Sequence, residues 1–389
     1  MSQFKGVDYY NFDSLLTEEE ILIRNTIREF VDDNILPIIE DYYMKGAFPA
    51  QLIPKMAEMG MFGATLPAKY GCAEMNNVAY GLVMQELERG DSGVRSFASV
   101  QSSLVMYPIY TFGSETQKDY WLPKLARAEK IGCFGLTEPD FGSNAGGMIT
   151  RAEKTDNGYL LNGAKMWITN GTIADVAVVW AKLNGIVHGF LIEKGTKGFT
   201  APEMKGKHSL RASVTSELIF EDCEIPKENF FPNTSGLRSP LMCLNQARYG
   251  IAWGVIGSAM TSYDTALNYS LSRIQFGKPI AGFQITQEKL VHMLTEITKM
   301  QFMTLQLGRL KDKDESRFQQ VSLAKRNNVA QALEIGRIAR EILGANGILS
   351  EYPIMRHTAN LESVKTYEGT HEMHTLIVGE DITGIAAFE

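Results

Sequence analysis

The sequence predicts a mostly α-helical chain with a small antiparallel β-domain at its centre. Three observations predict this class. Apolar residues recur at helical spacing to about residue 134. From about 135 to 235 the period shortens to β-rich runs separated by Asn-Gly pairs, the strongest short-range hairpin signal. Beyond that, long helical patterns return and continue to the end. The expected domains are 1–134, 135–235 and 236–389.

In the first domain, Thr17 and Glu20 form a capping-box signature, and Ile23, Ile27, Phe30 and Val31 follow at i, i+4, i+7 and i+8. Pro37, Pro54 and Pro67 punctuate later segments, while Gly60, Gly63 and Gly71 mark loops. Another helix is expected after Asp91 or Ser92, either of which can cap it, with Val94, Phe97, Val100, Leu104 and Val105 at roughly helical spacing. Arg95 is the only charge between Asp91 and Ser114. A guanidinium keeps its proton, so burying it demands an anion. Glu86, Glu88 or Asp91 can supply one within the chain, and so can a ligand.

The strands of the middle domain are YLLNGAKMWITNG, DVAVVWAKL, VHGFLIEKG and SELIFEDCEIP, with turn signals at 156–158, 162–163, 170–171 and 183–185. Three long helices follow. The first starts at Pro240 and runs through Ile251, Val255, Met260 and Leu267; the second spans about Thr286 to Leu310; the third spans about Gln319 to Leu343 and ends at Gly344. Long helices joined by short loops argue an antiparallel bundle.

Composition excludes several classes. A net charge of −7 over 389 residues lacks the basic face that phosphate backbones require, so no nucleic-acid partner is expected. Cys72, Cys133, Cys223 and Cys243 are far apart with no CxxC spacing, which indicates neither a zinc knuckle nor a disulfide framework. No stretch reaches the length of a membrane span, and the first twenty residues do not read as a signal or transit peptide. A soluble, cytoplasmic protein is expected. No GxGxxG follows a strand and GxxxxGK[ST] is missing. Glu368 and His371 form the only Glu-x-x-His pair, with Gly369 inside it, and His371 and His374 lack a third ligand nearby. No metal is expected.

Five phrases occur in order: CFGLTEPDFGSNAGGM (133–148), KMWITNG (165–171), RIQFGKPI (273–280), LGANGI (343–348) and TYEGTHEMHTLIVG (366–379). Together with the layout they resemble the acyl-CoA dehydrogenase family across essentially the whole chain. The resemblance implies an antiparallel β-barrel domain between an N-terminal helical domain and a C-terminal four-helix bundle. It also implies FAD, a homotetramer, and electrons passing to an electron-transfer flavoprotein. By its match to the YEGT phrase, Glu368 is the candidate base for the α-proton of a thioester. The resemblance assigns the thioester oxygen to the backbone N–H of Glu368 and a flavin ribityl hydroxyl. It places Thr169 and Trp167 beside the flavin ring, Leu136 and Thr137 at its pyrimidine end, and Ser143 at the pyrophosphate. Arg273 and Phe276 match positions that hold the ADP half of a neighbouring subunit's FAD, and Glu341, Gly344 and Thr370 complete the cofactor set. Arg248 and Asn245 match positions near CoA and the catalytic loop. Glu341 and Asn144 depart from the residues many relatives carry there, Gln and Asp.

ELERGDSGVRSFASVQSSLVMYPIY and three further stretches resemble the glutaryl-CoA dehydrogenase branch of that family. There the arginine of this helix grips the distal carboxylate of the substrate. Ser99, one turn on, falls on the same face as Arg95 and can complete the grip. Glu88 and Tyr367 match the same branch. The implied reaction is dehydrogenation of glutaryl-CoA with loss of CO2, giving crotonyl-CoA. The alternatives are a dehydrogenase or oxidase of another short or dicarboxylic acyl-CoA, a non-decarboxylating glutaryl-CoA dehydrogenase, and a silent acyl-CoA-binding homologue.

Overall fold

The computed structural model describes residues 4–387 apart from 235. The outermost residues of the two expected terminal domains, and the expected last residue of the middle one, lie outside the described residues. Helix α1 (Glu18–Phe30) begins at the expected capping box. Thr17 Oγ1 accepts the Glu20 N–H at 3.2 Å, and Glu20 accepts the Thr17 N–H at 2.8 Å. Ile27, Phe30 and Val31 are buried, as their spacing requires. Helices α2 (Leu36–Lys45), α3 (Leu52–Glu58) and α4 (Asn77–Gly90) follow. Asp91 then caps α5 (Ser92–Ser99) by accepting the Gly93 N–H at 2.6 Å. The helix expected after Asp91 has three parts: α5, a π-helical stretch over Val100–Met106, and α6 (Tyr107–Phe112). Every residue of α5 and of the π stretch is buried. Helix α7 (Glu115–Ala126) leads into the sheet.

One sheet holds β1 (Gly132–Gly135), β2 (Arg151–Lys154), β3 (Gly158–Thr169), β4 (Val176–Leu183), β5 (Ile186–Glu193), β6 (Phe199–Thr200) and β7 (Thr215–Pro226). The expected antiparallel barrel needs correction. Strands β1 and β2 both run parallel to β4, sharing the edge opposite β5, and the sheet is a half-barrel whose path ends open at β6. Alternation tells which face a residue occupies, not which way its neighbour runs. The turn signals also divide. Asn184-Gly185, with φ of 51° and 81°, makes a two-residue hairpin between β4 and β5. The 155–157 segment turns β2 into β3. Asn162-Gly163 instead lies inside β3 at a register shift, and Asn170 closes that strand. In β4, Val176, Val178 and Trp180 enter the helical core, whereas Ala177, Val179 and Ala181 enter the core of the sheet. One strand therefore locks the two layers together.

The three long helices are α8 (Arg238–Ser272), α9 (Gln284–Asp312) and α10 (Phe318–Ile342); between α8 and α9 lies a short hairpin, β8 (Ile274–Gln275) with β9 (Lys278–Pro279). Where a fourth bundle helix is expected there are two, α11 (Ile354–Thr366) and α12 (His371–Thr383), both packed on α10. The break between them is the 367–370 loop. Among the described residues, no helix is long and apolar enough to cross a membrane.

Candidate active site

The break places the candidate base Glu368 between the ends of α11 and α12. Tyr367 is extended, Glu368 takes a left-handed φ of 52°, Gly369 has φ of 91°, and Thr370 caps α12 by accepting the Met373 N–H at 3.2 Å. A left-handed glutamate costs about 1–3 kcal/mol and persists only where its surroundings over-determine it. Here three consecutive carbonyls are held by two buried cations. Lys325 Nζ donates to Tyr367 O at 2.8 Å and to Gly369 O at 2.7 Å, while Arg248 Nε donates to Glu368 O at 2.8 Å. His374 is buried one turn into α12. A Cβ on Gly369 would meet its Nε2 at 2.9 Å, so the loop lies close over the imidazole.

Sequence reasoning missed Lys325. Its signal was present: Lys325 and Asn328 share the stripe Val321, Ala324 and Val329, all buried on α10. A lysine on an apolar helical face announces a buried task.

Glu368 Oε2 is buried and, among the described residues, makes no hydrogen bond. Burial raises the carboxyl above its usual range, against the pull of Arg95, Lys325 and Arg248. Burial likewise lowers Lys325 to about 7, with Glu368 opposing the shift. His374 is pushed down to about 3 by burial and then by Lys325 and Arg248, which keeps it neutral.

Arg95 is 0% exposed, and of its three in-chain anion candidates Glu88 is the partner. Arg95 Nε donates to Glu88 Oε2 at 2.5 Å, and Glu88 Oε1 accepts from Ser92 Oγ at 2.9 Å. Glu86 pairs instead with Arg28 and Arg89, and Asp91 with Arg356. Arg95 Nη2 donates to the Tyr367 hydroxyl. Among the described residues, that leaves Nη1 and the Ser99 Oγ buried without a hydrogen-bond partner. Gly254 of α8 makes room for the pair, since a Cβ there would stand 2.3 Å from Glu88 Oε2. The fold thus brings Glu88, Arg95, Tyr367, Glu368 and Arg248 into one cluster, with Ser99 one turn from Arg95. Asn245, one turn before Arg248, keeps a buried Oδ1 without a partner among the described residues.

The residues expected around the cofactor are spread more widely. Leu136 is buried just after β1 and Thr137 is half-buried. Their loop is anchored by buried Lys165, whose Nζ donates to Leu136 O at 3.0 Å and Glu138 Oε1 at 2.8 Å. Glu138 in turn accepts the N–H groups of Ile149 and Thr150. Trp167 sits at a bulge of β3 with φ of 64° and is 60% exposed. Thr169 ends the strand opposite Thr215, and the Nδ2 of the next residue, Asn170, is buried without a partner among the described residues. The exposed indole of Trp167 fits a flat heteroaromatic group. Ser143 is exposed in the loop after β1. Arg273 and Phe276 lie on the exposed β8–β9 hairpin, with Phe276 94% exposed. Helical rise puts Arg273 about 37 Å along α8 from Arg248, so this hairpin does not join the Glu368 cluster within one chain. Glu341 is paired with Lys289 at 2.7 Å, Gly344 is open with φ of 61°, and the Thr370 hydroxyl is committed to its cap.

These features define an enzyme site with a desolvated carboxylate, a backbone turn beside it and a buried cation beyond. Profiles of the acyl-CoA dehydrogenase N-terminal, middle and C-terminal domains match residues 17–129, 133–223 and 234–383. The chain is 52% identical to a crystal structure of glutaryl-CoA dehydrogenase from Mycobacterium smegmatis, with 97% of each chain covered and a TM-score of 0.95. A glutaryl-CoA dehydrogenase structure from the same organism in complex with FADH2 is 49% identical, covering 98% of this chain and 99% of that one, with a TM-score of 0.97. The human mitochondrial short-chain specific acyl-CoA dehydrogenase is 34% identical over 369 residues, 93% of this chain and 90% of its own. The chain belongs to the acyl-CoA dehydrogenase family.

Proposed function

We propose that this acyl-CoA dehydrogenase oxidises glutaryl-CoA and decarboxylates the product to crotonyl-CoA, with electrons leaving to an electron-transfer flavoprotein. The observation that carries the substrate assignment is the unpartnered Nη1 of fully buried Arg95, near an unpartnered Ser99 Oγ. A guanidinium already oriented by Glu88 and Tyr367 has one edge left for a second anion, and a planar fork suits a carboxylate. The cofactor is FAD, which supplies the acceptor for the hydrogen on Cβ that no side chain can provide.

Leu136, Thr137, Trp167 and Thr169 would hold its ring system, with Ser143 at the pyrophosphate. Arg273 and Phe276 of another subunit would hold its ADP half; the exposure of Phe276 supports a homotetramer that covers it. Glu368 takes the α-proton of the bound thioester, its basicity raised by burial. The Glu368 N–H stabilises the oxygen of the enolate. Once the double bond is in place, the bond between Cγ and the terminal carboxylate breaks. CO2 leaves, the electron pair delocalises into the thioester, and Glu368 returns its proton to Cγ. One group serves as base and then acid. Mass-spectrometric identification of the product from glutaryl-CoA tests this reading: crotonyl-CoA is expected, and glutaconyl-CoA as the final product would remove the decarboxylation.

A further inference from the structure

We infer that Lys325 is a positioning residue of the reaction: by gripping the carbonyls of Tyr367 and Gly369 it aims the Glu368 N–H at the thioester oxygen. The inference rests on the proposed role of the Glu368 turn and names the part that sets its direction. No cis peptide occurs among the described residues, so the carbonyl and N–H of the 367–368 peptide point in opposite directions. Lys325 Nζ, 2.8 Å from Tyr367 O, therefore fixes the Glu368 N–H on the side away from itself. Among the described residues that N–H has no protein acceptor, unlike the Tyr367 N–H before it, which is bound to Ser363 O at 2.9 Å. The second bond, to Gly369 O at 2.7 Å, pins the far side of the turn, and Arg248 holds the carbonyl between.

One buried ammonium thus closes a bracket over residues 367–369 and resists relaxation of Glu368 from its left-handed backbone. Lys325 is itself held from moving: α10 carries it on a buried face, and Asn328 one turn on ties that face to Ala252 O of α8 at 2.9 Å. Its side chain reaches the loop backbone and touches no reacting atom in the proposed arrangement. An oxyanion donor aimed wrongly is nearly as costly as one removed, and removing one typically lowers kcat by about 100- to 1,000-fold.

The test is Lys325→Met, which keeps the length of the stem and deletes the donors. Flavin content reports folding of the holoenzyme. The decisive readout is the carbonyl stretch of bound [1-13C]crotonyl-CoA by isotope-edited infrared difference spectroscopy, which reads polarisation without turnover. In the wild type the band should fall below that of free ligand. In Lys325→Met it should return toward the free value, with kcat reduced about 100- to 1,000-fold and KM moving much less. A flavin-replete variant with the wild-type band overturns the inference alone; a wild type with no band shift overturns it together with the proposed role of the Glu368 N–H. If the Met variant yields no holoenzyme, Lys325→Gln, with one amide donor group, is read the same way: an intermediate band supports the inference and an unchanged band overturns it.

Discussion

Glu88 Oε2 accepts from Arg95 Nε at 2.5 Å, yet the pair is not closed, because fully buried Arg95 Nη1 has no partner among the described residues. Most buried N–H groups of a purely structural ion pair are satisfied. On the proposed reading the open edge takes the distal carboxylate of the substrate. Arg95→Ala should then lower kcat/KM for glutaryl-CoA by about 30- to 5,000-fold, the range for truncating one side of a desolvated charge pair. Butyryl-CoA, which has no distal charge, should lose far less. Equal losses for the two substrates, measured side by side, would return Arg95 to a structural role.

Gly254 gives an independent check on the same pair. A methyl group there would collide with Glu88 Oε2 at 2.3 Å and crowd Arg95 Nε at 3.1 Å, so the carboxylate must move and the guanidinium with it. Overpacking of this kind lowers stability by about 1–3 kcal/mol. Gly254→Ala is expected to lower both the melting temperature and the ratio of glutaryl- to butyryl-CoA kcat/KM while flavin content holds. An unchanged ratio would mean that Glu88 does not orient Arg95.

The parts of this architecture that were legible in the sequence are those written in local patterns. The long apolar patterns of α8, α9 and α10 fall within a few residues of their expected limits: α9 and α10 each bury one face, and α8 is buried on all sides over 247–260. Arg95 stood out because a lone charge in an apolar segment has few physical explanations. The half-barrel was not legible, since β1 and β2 are four residues each and their parallel pairing with β4 depends on chain crossings that alternation does not record. Nor were the left-handed backbones of Trp167 and Glu368, neither of which is a residue type that favours that region. Tertiary contacts impose them, and Lys325 is one of the residues that does so at Glu368.

Burial of Glu368 has a signature in pH as well as in rate. Its folded pKa is raised from an ordinary 4.5, so the charged form is the one the folded state disfavours. The neutral acid is therefore fully tolerated below the ordinary value, and stability falls as pH rises through the folded pKa. Glu368→Gln mimics the neutral acid at every pH. It should melt above the wild type at pH 8, with the gap narrowing as pH approaches 4.5, while anaerobic reduction by glutaryl-CoA is nearly abolished. The acid limb of the wild-type kcat/KM profile should lie above the ordinary carboxylate value. A Gln variant that still turns over would remove Glu368 from the chemistry.

Lys165 and Glu138 offer the corresponding test on the cofactor side. Both side chains are buried, and together they hold Leu136 O and the N–H groups of Ile149 and Thr150, which frame the loop expected to meet the flavin. Lys165→Met leaves the Glu138 carboxylate buried without its counter-ion, a change that costs about 3–5 kcal/mol. The variant should melt lower and lose flavin on gel filtration, read as the ratio of flavin to protein absorbance. Adding Glu138→Gln removes the orphaned charge and leaves an amide that still accepts one backbone N–H. The double variant should therefore recover part of the melting temperature, whereas flavin retention should stay low because Leu136 O still lacks its donor. Full recovery of both would show that the lysine serves only to neutralise Glu138. Recovery of stability without flavin would assign it to shaping the 136–138 loop.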